Sequence, residues 1–141
     1  MFTKLLIALD GSEMSRKALN VAIELAKLTG ASLYLVSVEE NLPHYPADIG
    51  EVKEEKQLKN GYFKTIQREA REMAKVHGID LDQANILIGN EAKTIVSHAK
   101  AIKCDLIVMG HSGQSGVWAN FLGSTAEKIS HHAHCTVMIV R

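Results

Sequence analysis

Residues 104–126 read CDLIVMGHSGQSGVWANFLGSTA, and the chain's fold is decided here. Leu106 to Met109 is an unbroken apolar run, the pattern of a strand buried on both faces. It stops at Gly110, Gly113 follows after two residues, and Gly123-Ser124-Thr125 then opens a helical pattern. Strand, glycine turn and helix start, in that order, are how a chain presents bare backbone N–H groups to a phosphate. Glycine permits close approach, and the hydroxyls of Ser124 and Thr125 add donors.

Working outward, Lys4 to Leu9 is apolar after its first residue and too short for a helix, which predicts a second central parallel strand. Asp10-Gly11-Ser12 closes it as a turn, with Ser12 as N-cap of a helix from Glu13 to Thr29. Ala18, Val21, Ala22, Leu25 and Leu28 repeat there at helical spacing, and Gly30 fits the C-terminal cap. Ser32 to Val38 predicts the next strand. Asn41 to Gly50 holds both prolines of the chain and reads as a loop.

Residues 51–78 predict an irregular amphipathic helix, with Val52, Leu58, Tyr62, Ile66, Ala70, Met73 and Ala74 inward and a weak point at Asn60-Gly61. Its charge run reads as a solvated face. Asn85 to Gly89 predicts a short strand, Asn90 caps a helix through Ala101, a helix runs from Ser124 to about His132, and Thr136 to Val140 is the last strand. Strands alternating with helices imply right-handed crossovers and a mainly parallel open α/β sheet, Rossmann-like, with helices on both faces. Such sheets bind ligands beyond the carboxyl ends of their strands, where the chain order reverses.

The chain's 141 residues suit one domain, 1–141, and contain no evident repeat or linker. Sixteen basic residues balance sixteen acidic ones, which argues against loose binding to nucleic acid. Cys104 and Cys135 are too few for a secreted disulfide scaffold, and the N-terminal apolar run is broken by Asp10 before it could target or span a membrane. A cytoplasmic protein with no membrane partner is the expectation.

With LIALDGSEMSRKAL, LVSV and the 110–124 segment in view, the chain resembles the universal stress protein family over essentially its whole length. Gly110, Gly113, Gly123 and Ser124 fit the G-x2-G-x9-G-(S/T) spacing of the family's nucleotide-binding members without a gap. The resemblance implies five parallel strands in the order 3-2-1-4-5, which sets strands one and four side by side. It also implies ATP, or another adenine nucleotide, with Mg2+ or Mn2+ bridging phosphate oxygens. Carried over by position, Asp10 lies near the ribose, with Ala8 and Leu9 flanking the adenine and the backbone of Val38 reading its edge. Met109 and Gly110 sit beside the ribose and phosphates, and Gly113, Gly123, Ser124 and Thr125 surround the triphosphate. Thr136 replaces a proline common in the family, and the resemblance implies a homodimer through the final strands, Thr136 to Val140. The function so implied is that of an ATP-binding, nucleotide-dependent regulatory dimer in stress response.

Three alternatives stand beside that reading. The glycines also suit tight turns in a nucleotide-free dimerisation module, and Asp10 suits a helix-start aspartate favoured by the dipole. An ATP-consuming enzyme, hydrolytic or autophosphorylating through a loop Ser or Thr, is the second. It is weakened because Gly123-Ser124 is followed by Thr125 and not by the lysine of a P-loop, so at best slow turnover is expected. A zinc site at His131, His132, His134 and Cys135 is the third, and its spacing argues for solvated histidines at a helix end instead. His111 reads as a solvent-facing turn histidine, Trp118 and Phe121 as a hydrophobic anchor, and Cys104 and Cys135 as two buried thiols near each other.

Overall fold

The computed structural model describes residues 2–40, 49–112 and 121–141. Among these the elements run β1 Lys4–Ala8, α1 Glu13–Thr29, β2 Ser32–Glu39, α2 Ile49–Val76, β3 Leu81–Ile88, α3 Glu91–Ala101, β4 Leu106–Gly110, α4 Ser124–His132 and β5 Thr136–Val140. The strands form one parallel sheet in the order β3-β2-β1-β4-β5. In the central register Leu5 lies opposite Leu33 on one side and Leu106 on the other, and Ile7 opposite Leu35 and Val108.

Strand periodicity sorts the apolar side chains into two cores. Leu5, Ile7, Leu33, Leu35, Leu106 and Val108 face α1 and α2, where Ala18, Leu19, Ala22 and Ile23 pack beside Phe63, Ile66 and Ala70. Leu6, Val36, Ile107 and Met109 face α3 and α4, meeting Ala92, Ile95, Ala99, Ala126 and Ile129. Each fully buried Leu or Ile contributes roughly 1.5–3 kcal/mol relative to exposure, so the pattern that makes these strands also fixes which helices cover each face.

The helix ends follow their capping chemistry. Ser12 Oγ accepts from the Ser15 N–H at 3.2 Å, and Gly30, in the left-handed region at φ 72°, donates its N–H to the Ala26 carbonyl. Asn90 Oδ1 accepts from the Lys93 N–H at 3.1 Å. Two boundaries differ from expectation. Helix α2 is continuous through Asn60-Gly61 and already includes Ile49 and Gly50. A mid-helix glycine costs only about 1 kcal/mol, which burial of Phe63, Ile66, Ala70 and Ala74 offsets. Leu58, expected inward, is 75% exposed. Strand β3 begins at Leu81, four residues before the apolar run at Asn85; it is an edge strand, and Asp82 and Gln83 are exposed. Pro43, Pro46, Gly113 and Trp118 lie outside the described residues.

Candidate functional site

After β1 the chain proceeds to β2 and β3 on one side, and after α3 it returns to β4 and β5 on the other. The strand order therefore reverses between β1 and β4, and the crevice such a reversal creates is present. A cavity of about 510 Å3 opens beyond the carboxyl ends of β1, β2 and β4. Ala8, Leu9, Asp10, Val38, Met109, Gly110, Gly123, Ser124 and Thr125 all line it, so the sequence-designated residues that are described converge on one place. Gly113 is outside the described residues.

The floor is built by strand geometry. In a parallel sheet alternate residues of a strand turn both backbone polar groups to the same neighbour. Val36 accepts from the Leu9 N–H at 2.9 Å, whereas Glu39 accepts from the Gly89 N–H at 3.0 Å on the β3 side. Val38 shares the parity of Val36, so its N–H and C=O aim into the space beyond the end of β1. Ser37, buried between them in sequence, donates its hydroxyl to the Leu9 carbonyl at 2.6 Å. Gln67 of α2 in turn donates to Ser37 Oγ at 3.2 Å and to the Asn85 carbonyl at 2.8 Å. This buried polar chain pins the backbone at the cavity floor to β3 and α2.

Asp10 is held as a turn former: its Oδ1 accepts from the Ser12 N–H at 2.9 Å, and its backbone carbonyl accepts from the Tyr62 hydroxyl at 3.3 Å. Gly11 has φ 84°, and a side chain there would run into the Tyr62 hydroxyl and Ile66. Gly110 has a different reason. A Cβ at Gly110 would lie 2.8 Å from the Met14 carbonyl carbon and 2.8 Å from Met14 Cβ. The absence of a side chain lets α1 seat its first turn on the end of β4, a role distinct from both the phosphate approach and the tight turn expected of it.

The far wall is the start of α4. Gly123 occupies the N-cap position with φ −59°, an ordinary value, and no side chain caps the helix. Its N–H donates to the His111 carbonyl at 2.9 Å, while the His111 N–H donates to the Val140 carbonyl at 2.7 Å. The first-turn amides of a helix have no intrahelical acceptor, so this end of α4 presents N–H groups at the cavity wall. His111, expected to face solvent, is 3% exposed, because the hydrogen bonds that extend the sheet past β4 draw it inward.

Tyr62, Lys59, Glu39, Glu40, Glu91 and His111 also line the cavity, and none of them belongs to the set expected there from sequence. Thr125 Oγ1 donates to Glu91 Oε2 at 3.4 Å. Burial first, then the nearby charges of Asp10 and Glu40, push the Glu91 carboxyl above the usual carboxylate range, and the Thr125 hydrogen bond offsets this only partly. Tyr62 had a partial signal, its place in the helical stripe of α2; Glu91 looks in sequence like an ordinary first-turn acid beside the Asn90 cap.

Outside the cavity, Cys104 Sγ and Cys135 Sγ are 3.9 Å apart, and Cys104 is buried. Burial first, then Cys135, push the Cys104 thiol up to about 12. His134 Nε2 lies 3.1 Å from the Cys104 carbonyl, and among the described residues no group of three His, Cys, Asp or Glu is arranged to hold a metal ion. Phe121, expected as part of a hydrophobic anchor, is 68% exposed.

One five-stranded doubly wound sheet with a crevice at its reversal point defines the class: a Rossmann-like open α/β fold. The family model described as "Universal stress protein family" matches residues 1–141, and the chain belongs to that family. It is 37% identical over 141 residues to the "Universal stress protein in QAH/OAS sulfhydrylase 3'region" of Thermus aquaticus, covering 100% of both chains. It is 36% identical to universal stress protein YxiE of Bacillus subtilis, again covering 100% of each. Among solved structures, universal stress protein UspA from Lactobacillus plantarum superposes with a TM-score of 0.91 at 26% identity, covering 99% of this chain and 98% of that one. Among the described residues no helix is long and apolar enough to cross a membrane.

Proposed function

We propose that this chain binds an adenine nucleotide, ATP with Mg2+ or Mn2+ in the first instance, in the cavity between β1 and β4. On this reading it acts as a nucleotide-dependent regulatory homodimer, paired through β5, in the cytoplasm. The observation that carries the reading is the placement of the α4 amino terminus, uncapped by any side chain, against a floor of strand-end backbone in one 510 Å3 cavity. That volume lies within the usual range for small-molecule sites. The floor, Ala8, Leu9, Val36 and Val38, suits a flat apolar base with a hydrogen-bonding edge. The wall, Gly123, Ser124 and Thr125, suits phosphate oxygens.

The spacing Gly110, Gly113, Gly123, Ser124 supports the same choice. So do two proteins of the same fold: a universal stress protein solved in complex with cAMP, at TM-score 0.75 and 24% identity, and one from Archaeoglobus fulgidus solved with dAMP, at TM-score 0.64 and 18% identity. The metal is proposed to sit with the phosphate oxygens, lowering the tail's charge beside Asp10, Glu40 and Glu91. Binding without efficient turnover fits the described cavity, where the lysine among the described lining residues is Lys59 on α2 and none follows Gly123-Ser124 directly.

Calorimetric titration of the purified chain with Mg-ATP, paired with labelled ATP under multiple-turnover conditions, tests this. Saturable binding with fewer than one turnover per hour is expected. Multiple rapid turnovers abolished by Asp10→Ala or Ser124→Ala would establish an enzyme instead, and absence of binding to any adenine nucleotide would leave a nucleotide-free module.

A further inference from the structure

Glu91 is the first residue of α3, yet its carboxylate turns across to the first turn of α4 and accepts from Thr125 Oγ1. An anion is favoured at a helix amino terminus, and at α4 the protein's own Glu91 supplies one, half-buried in the cavity lining. Among the described residues the other carboxylates lining the cavity are Asp10 after β1 and Glu39 and Glu40 at the end of β2, with His111 after β4 as a further titratable group. The cation facing the cavity from α2 is Lys59, whose Nζ lies 4.0 Å from Glu55 Oε1. A bare phosphate tail that reaches the α4 amides is therefore brought close to Glu91 and toward the other acids.

Resting on the adenine-nucleotide reading above, we propose that Glu91 determines the charge specificity of this site, holding the place of a phosphate at α4 so that the tail enters as its divalent-metal complex and not bare. A unit charge about 5 Å from a like charge, at an effective dielectric near 20, weakens binding on the order of 100-fold. A divalent cation between tail and carboxylate reverses the sign of that interaction, and Mg2+ characteristically binds through one or two carboxylates together with substrate phosphates. Burial first, then the charges of Asp10 and Glu40, raise the Glu91 carboxyl above the ordinary carboxylate range, so its charged form carries a cost that a cation placed beside it would relieve.

The test is calorimetric titration of wild type and Glu91→Gln with three probes: adenosine, ATP in EDTA, and Mg-ATP. Gln keeps a carbonyl acceptor for Thr125, and Glu91→Ala serves as a second neutral variant. Wild type is expected to bind Mg-ATP at least tenfold tighter than metal-free ATP. In Glu91→Gln, metal-free ATP should bind at least tenfold tighter than in wild type, collapsing the metal dependence to within about threefold, with adenosine unchanged. An unaltered metal dependence in both neutral variants would overturn the proposal. So would a parallel loss of adenosine and ATP, which would make Glu91 a nucleoside contact. If wild type binds none of the three probes, the nucleotide reading itself fails and this proposal falls with it; binding of Mg-ATP with unchanged metal dependence sinks the proposal alone.

Discussion

Replacing Gly110 with alanine separates a packing glycine from a phosphate-approach glycine. The new Cβ would sit 2.8 Å from the Met14 carbonyl carbon, 2.8 Å from Met14 Cβ and 3.0 Å from the Met14 carbonyl oxygen. Two of those atoms are backbone, so relief requires moving α1, whose Ala18, Leu19, Ala22 and Ile23 are seated in the core. Overpacking of this kind costs about 1–3 kcal/mol, and for a chain of this size about 2 kcal/mol lowers Tm by roughly 5–10 °C. Differential scanning calorimetry of Gly110→Ala without added ligand should show that loss. Because Asp10 and Ser12 lead into α1, nucleotide affinity should fall as well, by less than the change at Gly123. A Tm within 1 °C of wild type would refute the packing argument and return Gly110 to the ligand.

Gly123→Val should abolish nucleotide binding measured by calorimetry while costing only about 1 kcal/mol at the N-cap position; wild-type affinity would mean the phosphate wall is misplaced. Glu91→Gln should be more stable than wild type at neutral pH. A carboxyl raised on folding contributes stability that is fully present below its unfolded value and lost as pH rises through its folded value, so the advantage of Gln should vanish in acid denaturant titrations. Asp105 shows the opposite sign. Burial opposes its charge, but hydrogen bonds from the Thr3 and Lys4 N–H groups and the Thr3 hydroxyl prevail and hold its carboxyl below the usual range. The destabilisation caused by Asp105→Ala should therefore shrink as pH falls through that folded value, and a pH-independent penalty would contradict it. Cys104, with its thiol pushed up to about 12, should react with maleimide at pH 8 far more slowly than Cys135, and equal rates by mass spectrometry would contradict its burial.

The sheet was legible because its central strands are apolar on both faces: Leu5-Leu6-Ile7 and Leu106 to Met109 admit no other reading at that length. The caps at Ser12, Gly30 and Asn90 were legible for the same kind of reason, since each satisfies a local backbone group. Edge strand β3 was only half visible, because one flank of the sheet is enough to hold it and Asp82 and Gln83 can stay in water. The Gly61 break was misleading because tertiary packing beneath Phe63 and Ile66 outweighs a propensity penalty.

At the candidate site, the residues that converge through sheet order, Asp10 with Gly110 and Gly123, were readable once strands one and four were taken as neighbours. Tyr62, Glu91 and His111 were not, because each arrives from a separate element and its position depends on how helices cross the sheet. At Gly110 local spacing reveals a missing side chain, and only the fold reveals that Met14 needs the room.

The most direct test of the central claim is a backbone amide NMR titration with Mg-ATP. Saturable shifts concentrated at Leu9, Asp10, Val38, Gly123, Ser124, Thr125 and Ala126 are predicted, the residues around the cavity between β1 and β4. Saturable shifts confined to another surface, such as the shallow groove at Lys93, Ser97 and His98 along α3, would contradict it.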